Sequence, residues 1–211
     1  MSRIGIFTNN FRFYHDVIDV AKNWELPYFS IDPSSSVPVD IPVILSTTAD
    51  PEIDNRQVKE NDPVRALRLG LPRLIDQIEF RRIVIGIDPG PKPGVAVICD
   101  DVLTEATELP EIMYIEEYIL KVLSDYSYGG YSIRIGDGDT PNREKITDIL
   151  SRNRLSYVVV DESNTTIFRH RPQNNAISAA VIGMARSKDA RSPGKGDNFF
   201  DDRFVTIRNS I

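Results

Sequence analysis

The sequence predicts an α/β protein that has a mixed five-stranded sheet in its second part and a small α/β unit before it. Two observations carry this prediction. Short apolar runs alternate with amphipathic helical patterns, and from residue 81 three strands joined by short turns precede a helix–strand–helix–strand–helix order. Short turns make the first three strands antiparallel, whereas the helices that precede the last two strands make those strands parallel to the first.

The first part, residues 1–80, is predicted to be a small α/β unit whose role the sequence does not disclose. Asp62 and Pro63 have the residue types of a helix N-cap and first helical position, so a helix is expected to begin there. Pro72 removes a hydrogen-bond donor from that helix and is expected to kink it. The other elements expected in this part are strands at 3–8, 27–31 and 42–46 and an amphipathic helix at 14–24.

The second part, residues 81–211, has clearer patterns and ends in a tail that contains two glycines and a basic cluster. Thr140 is expected to cap a helix that begins at Pro141. The other elements expected here are strands at 83–87, 94–99, 102–109, 131–135, 157–160 and 204–207 and helices at 111–123 and 174–185.

Composition excludes several classes of protein. The chain has 211 residues and a net charge of −6, so it does not have the basic balance of a general nucleic-acid coat protein. A single cysteine, Cys99, excludes an internal disulfide and a thiolate zinc site, and two histidines exclude a His-rich metal site. The absence of a long apolar run and of a secretory signal leads us to expect a cytoplasmic protein that does not span a membrane.

Acidic residues follow three of the predicted strands of the second part. Asp88 follows the first strand, Asp137 and Asp139 follow the fourth, and Asp161 and Glu162 follow the fifth. Because those strands run parallel, their carboxyl ends meet at one edge of the sheet, where several carboxylates are tolerated best if they share divalent cations. The pattern therefore predicts a Mg²⁺ or Mn²⁺ site, although acids at strand ends also simply solvate loops.

Three segments of the second part together resemble a known superfamily. Residues 83–97 (IVIGIDPGPKPGVAV) resemble the first hairpin of RNase H-like nucleases, and are most similar to RuvC-type Holliday-junction resolvases and YqgF-type nucleases. Residues 158–166 (VVVDESNTT) are similar to a YqgF-type motif, and residues 175–185 (NAISAAVIGMA) resemble the closing helix of the superfamily. The resemblance covers about half of the chain, and residues 1–80 take no part in it.

The resemblance implies a metal-dependent phosphodiesterase that acts on structured nucleic acid. By position, Asp88 would be the central metal ligand, Asp137 or Asp139 would stand near the fourth-strand acid, and Asp161 would be the fifth-strand acid. Two divalent ions held there would clamp the attacking and leaving oxygens of a phosphodiester. RuvC-type resolvases act as dimers, so the resemblance also implies a homodimer.

The sequence departs from the family at the closing helix, which presents an acid to the metals in active members. Asn174, Asn175 and Ser178 stand in the corresponding region, and Asn175 and Ser178 share a helix face that would look into the site. An amide is a weaker ligand for Mg²⁺ than a carboxylate. The alternative function is therefore a non-catalytic RNase H-like module that binds nucleic acid or a protein partner.

A third function, nucleotide-phosphate binding, can be weighed on the first hairpin, and basic residues elsewhere bear on nucleic-acid binding. The sugar-kinase and actin group uses a similar first hairpin to hold nucleotide phosphate, but it needs two copies of the domain and this chain has one. Basic residues near the predicted site are expected to grip a phosphate backbone, although each can also be a solvated surface charge. These basic residues are Lys92, Arg169, Arg171, Arg186, Lys188 and Arg191.

Overall fold

A computed structural model describes residues 3–32, 34, 36–161 and 174–185 of the chain. It divides into two compact units. Among the described residues, unit 1 comprises residues 3–80 and 125–127, and unit 2 comprises the rest. None of the described helices is both long and apolar enough to cross a membrane.

Unit 1 is a parallel four-stranded sheet with the strand order β2-β1-β3-β4. Its inner strands are buried: Ile4, Ile6, Ile44 and Leu45 are each at most 1% exposed. The strand β4 was not predicted, because its three residues are mostly polar and lack an apolar run. The elements are β1 (Ile4–Ile6), α1 (Phe11–Asn23), β2 (Tyr28–Ser30), β3 (Val43–Ser46), β4 (Gln57–Lys59) and α2 (Pro63–Gly70).

Both helices of unit 1 begin at side-chain caps. The side chain of Asn10 accepts a hydrogen bond from the Phe13 amide, and the side chain of Asp62 accepts one from the Arg65 amide, as the sequence predicts for Asp62. The helix that Pro63 opens becomes a tighter 3-10 turn at Leu71–Ile75, which contains Pro72. The predicted disturbance at Pro72 is therefore observed.

Unit 2 is a mixed five-stranded sheet with the strand order β7-β6-β5-β8-β9. The first three strands are antiparallel, and β8 and β9 run parallel to β5. This is the order of an RNase H-like α/β fold, so the predicted fold class is confirmed. The elements are β5 (Ile83–Asp88), β6 (Gly94–Cys99), β7 (Val102–Glu108), α3 (Ile115–Asp125), β8 (Tyr131–Gly136), α4 (Thr140–Arg152), β9 (Tyr157–Val160) and α5 (Asn175–Met184).

The helix α5 lies directly on the backbone of β5 and β6. A Cβ atom at Gly86 would stand 2.0 Å from the Ala179 carbonyl oxygen, and one at Gly183 would stand 2.4 Å from Ile98 Cδ1. Glycines on both surfaces therefore permit a helix-to-sheet distance that no larger residue would allow. The guanidinium of Arg134 on β8 donates to the carbonyl oxygens of Gly183 (2.8 Å) and Ala185, which fastens the far end of the helix.

Candidate functional site

Asp88 is the last residue of β5, the middle strand of the unit 2 sheet. The five residues before it are fully buried, whereas Asp88 itself is half-buried. Strand β5 therefore carries this carboxylate from the core to the carboxyl edge of the sheet, where the sequence predicts it. Asp88 is therefore the residue that the sequence predicts as the central acid of the candidate site.

The side chain of Asp88 lies on the face of the sheet that α5 covers. Asp88 pairs directly with Gly94 on β6, and paired residues of antiparallel strands point to the same face. A Cβ atom at Gly94 would stand 1.9 Å from the carbonyl oxygen of Asn175, at the start of α5. Gly86, two residues before Asp88, faces the middle of the same helix. The structure thus brings the beginning of α5 next to the strand end that carries Asp88.

Asn175 is tied to the loop of the β5–β6 hairpin. Its side-chain amide nitrogen, Nδ2, donates to the backbone carbonyl oxygen of Lys92 at 2.6 Å, and the residue is half-buried. The preceding residue, Asn174, caps the helix by accepting a hydrogen bond from the Ala176 amide at 2.9 Å. Because the side-chain nitrogen of Asn175 donates to the backbone of Lys92, its side-chain oxygen, Oδ1, is the atom that could serve as a neutral metal ligand.

Asp137 and Asp161 lie one residue beyond the level of Asp88. The register pairs Ile87 with Ile135, so Gly136 comes level with Asp88 on β8. Gly136 in turn pairs with Val160 on β9, and the Asp137 amide donates to the Val160 carbonyl at 3.0 Å. Because side chains alternate along a strand, Gly136 lies on the same face of the sheet as Asp88, and Asp137, the next residue, is directed to the opposite face. Among the residues that the structure describes, no three acidic, histidine or cysteine side chains form a group that could hold a metal ion.

Asp139 has a structural role at the start of α4. Its carboxylate accepts hydrogen bonds from the Asn142 backbone amide at 3.2 Å and from the Asn142 side-chain amide at 2.7 Å. The helix begins at Thr140, so the prediction that Thr140 is the cap was wrong. An aspartate is a better acceptor at this position than the threonine that follows it, and Pro141 fits the first turn because its missing N–H needs no partner there.

Lys92 is exposed in the hairpin loop, on the residue whose carbonyl Asn175 contacts. The remaining predicted phosphate-binding residues lie outside the described residues, as do Glu162 and the strand expected at 204–207. These phosphate-binding residues are Arg169, Arg171, Arg186, Lys188 and Arg191.

Unit 1 has a buried acid that sequence reasoning missed. Asp50, in the loop after β3, is 5% exposed and accepts hydrogen bonds from the Asn9 amide at 2.9 Å and from the Thr47 amide and hydroxyl at 2.8 and 2.6 Å. Burial alone would raise the pKa of Asp50, but the hydrogen bonds from Thr47, Thr8 and the two amides outweigh it and hold the pKa below its usual value. An acid four residues after a buried strand is the signal that could have identified it.

A family model matches part of unit 1, and the similarity of the chain to solved structures is weak. Residues 3–74, about a third of the chain, match the family model of a response regulator receiver-like domain. No curated protein is similar to this chain in sequence.

Among solved structures, the chain has a weak similarity to Marinitoga piezophila Argonaute. The complex of that protein with a 5′-OH guide RNA is 10% identical, with a TM-score of 0.30 over 76% of this chain and 40% of the Argonaute chain. The complex that also contains target DNA has a TM-score of 0.29 at 10% identity, over 76% and 39% of the two chains. The protein thus spans about two fifths of the length of the Argonaute chains it matches.

Proposed function

We propose that unit 2 acts on structured nucleic acid, DNA or RNA, at the carboxyl end of strand β5, where Asp88 lies. The observation that carries this proposal is the position of Asp88. It ends the middle strand of an RNase H-like sheet and lies on the face that meets the beginning of α5. A carboxylate here would repel the negative phosphodiester of a substrate unless a cation lies between the two groups.

The described donors fit a single weakly held divalent ion better than a pair of ions. Mg²⁺ is commonly bound through one or two carboxylates together with substrate phosphates and water. Asp88 supplies the carboxylate, the amide oxygen of Asn175 is a neutral donor, and the substrate phosphate would complete the set. When bound, Mg²⁺ or Mn²⁺ would neutralise phosphate charge and activate a water molecule.

The more specific proposal is metal-dependent phosphodiester hydrolysis of the RuvC or YqgF type. It requires further acids to join Asp88, and Asp137, Asp139 and Asp161 are the candidates from the sequence. Asp139 would have to leave its capping role at α4 to do so. Basic residues of the hairpin loop and of the segments around α5 would hold the backbone of the substrate.

A non-catalytic nucleic-acid-binding module is the alternative, and one contact favours it. The side-chain amide of Asn175 donates a hydrogen bond to the Lys92 carbonyl, so the residue that stands in place of the family's helix acid helps to hold the hairpin loop. A structural role of this kind leaves the site with fewer charged ligands than two-ion hydrolysis requires. A cytoplasmic location and a homodimer also belong to the proposal.

Titration calorimetry of the full chain with Mn²⁺ and Mg²⁺, with and without a short duplex, tests the metal-dependent proposal. We expect binding that requires the duplex and that disappears in Asp88→Asn. Glu144→Gln removes one negative charge from an exposed position on α4 and is the matched control. Equal binding by wild type and Asp88→Asn, with unchanged thermal stability, would overturn the role of Asp88.

Cleavage assays then separate the two functions. Junction, flap and RNA–DNA hybrid substrates are incubated with Mn²⁺ and either wild type or Asp88→Asn. Products formed by wild type alone support hydrolysis. Retention of a substrate without cleavage supports the non-catalytic module.

A further inference from the structure

Unit 2 has a surface groove between the helix α4 and the 3-10 turn Ile112–Tyr114, which directly precedes α3. The groove has a volume of about 670 Å³, and its apolar lining consists of Ile112, Met113 and Ile149. Met113 is 68% exposed, whereas Ile149 is 8% exposed and lies at the base of the groove. An exposed methionine beside a buried apolar base is typical of surfaces that bind amphipathic helices.

The two walls of the groove are fastened to each other by Asn153. Its side-chain nitrogen, Nδ2, donates to the Ile149 carbonyl at 2.9 Å and to Glu116 Oε1 at 3.0 Å. Asn153 directly follows α4, and Glu116 lies in the first turn of α3. These hydrogen bonds connect the two helices, so a partner would meet a groove that is already formed and would not have to order it.

Charged side chains of α4 form a regular pattern along the groove. Lys145, Asp148 and Arg152 all line it, and their spacing of three and four residues places them on one helix face. Seven residues of α-helix separate the two cations by about 10 Å. Among the residues that the structure describes, neither cation forms an ion pair, and Lys145 donates only to the neutral side chain of Asn142 at 3.3 Å. Each end of the groove can therefore accept an acid, whereas Asp148 disfavours an acid between them.

The same side chains favour a protein partner over a nucleic acid. Single-stranded nucleic acids are held by aromatic side chains, on which the bases stack, along a positively charged groove. The apolar lining of this groove is aliphatic apart from the thioether of Met113, and Asp148 offsets part of its positive charge. An amphipathic helix suits it better, because two turns of a helix space two acids by the same 10 Å or so that separates Lys145 from Arg152.

We propose that this groove binds an amphipathic helix of another protein. Two apolar side chains of that helix pack against Met113 and Ile149, and two acids seven residues apart pair with Lys145 and Arg152. The expected pattern in the partner is an acid, two residues of any type, two apolar residues, two residues of any type and a second acid. The groove contains none of the acids of the candidate site, so this inference stands or falls independently of the proposed function.

Selection of a random peptide library, displayed on phage, against the full-length protein tests the groove. We expect the selected peptides to be enriched in the pattern of two apolar residues between two acids. Synthetic copies of them, measured by fluorescence anisotropy, are expected to bind Met113→Ser about tenfold more weakly than wild type. Ile78→Ser is the matched control, because Ile78 is 86% exposed and lies outside the groove, and its affinity is expected to be unchanged.

Charge exchange tests the assignment of the two acids. The double variant Lys145→Glu/Arg152→Glu is expected to weaken binding of a selected peptide by about tenfold, because two attractions become repulsions. A peptide in which lysine replaces both acids is expected to bind this double variant as the original peptide binds wild type. Lys22→Glu/Lys59→Glu changes the net charge equally at two exposed positions of unit 1 and is the matched control.

Three outcomes would overturn the proposal. One is a library that yields no binder, and another is a set of peptides that bind wild type, Met113→Ser and the double charge variant equally well. The third is displacement of a selected peptide by a short single-stranded RNA whose own binding is lost in Met113→Ser, which would assign the groove to nucleic acid. Thermal unfolding of each variant shows that a lost affinity does not come from a lost fold.

Discussion

Each unit has an aspartate at or shortly after the end of a buried strand, and the two aspartates have different surroundings. Asp50 of unit 1 is 5% exposed and is surrounded by amides and hydroxyls from the loops after β1 and β3. Asp88 of unit 2 is half-buried at the end of its strand, on the face over which α5 begins. Asp50 connects two loops through hydrogen bonds, whereas Asp88 lies at the carboxyl end of β5, close to the beginning of α5.

The difference lies in what surrounds each aspartate. Both oxygens of Asp50 accept hydrogen bonds within the unit, so a ligand at Asp50 would have to replace those bonds. The surroundings of Asp88 depend instead on glycines that let α5 approach the sheet closely. Substitutions in the two surroundings should therefore have different consequences for stability and for metal binding.

The largest effect is expected from Gly86→Ala, which breaks the arrangement in unit 2. The added methyl would stand 2.0 Å from the Ala179 carbonyl oxygen and 2.6 Å from the Gly183 nitrogen, both backbone atoms, so α5 must move. We expect the free energy of unfolding to fall by about 3 kcal/mol. Urea unfolding checks this value.

Gly130→Ala is the control for Gly86→Ala. No heavy atom lies within 4 Å of the position that its Cβ would occupy. Its effect should stay within about 0.5 kcal/mol. Equal losses for the two variants would mean that the close contact between α5 and β5 does not limit stability.

In unit 1, Asp50→Asn should lower the free energy of unfolding by about 2 kcal/mol at neutral pH, because an amide group replaces an oxygen that accepts from buried donors. The pKa of Asp50 is lowered in the folded state. Its contribution is therefore complete above the unfolded-state pKa of about 3.9 and is lost as the pH falls through the lower folded-state pKa. The difference between wild type and variant should shrink in acid.

Urea unfolding at neutral pH and at acid pH measures this dependence. Asp19→Asn, at an exposed position on α1, is the control and should change stability by less than about 0.5 kcal/mol. A loss for Asp50→Asn that persists unchanged in acid would show that the charge of the carboxylate is not what stabilises the loops.

The sequence patterns predicted the unit 2 sheet better than the unit 1 sheet for a physical reason. Strands β5, β6 and β9 contain apolar runs bounded by turn residues, so their limits were predicted to within a residue. Strand β4 has a polar sequence, Gln57–Lys59, and is formed by its pairing with β3, which is a tertiary contact that no local pattern reveals.

The candidate site could be predicted only in part from the sequence. The position of Asp88 follows from a buried run that ends in a charge, which is a local signal. The register that places Gly136, rather than Asp137, level with Asp88 depends on how β8 pairs with β5. The bond between Asn175 and Lys92 joins residues 83 positions apart, so no spacing in the sequence indicates it.

Asn175→Asp tests this difference, because it would place a carboxylate at the beginning of α5, next to the strand end that carries Asp88. We expect the affinity for Mn²⁺ in the presence of a duplex to rise about tenfold, equivalent to about 1.4 kcal/mol, since a carboxylate is a stronger ligand than an amide. The variant also loses the hydrogen bond to the Lys92 carbonyl, so its stability should fall by about 1 kcal/mol. Calorimetry and urea unfolding measure the two effects separately.

Asn174→Asp is the matched control for Asn175→Asp, since it adds the same charge one residue earlier and aspartate caps a helix as well as asparagine does. Equal gains in Mn²⁺ affinity for the two variants would show that a negative charge anywhere near the beginning of α5 is sufficient. A gain confined to Asn175→Asp would show that this side chain shares an ion with Asp88. If that variant also acquires cleavage activity that wild type lacks, the amide at position 175 is what separates a binding module from a nuclease.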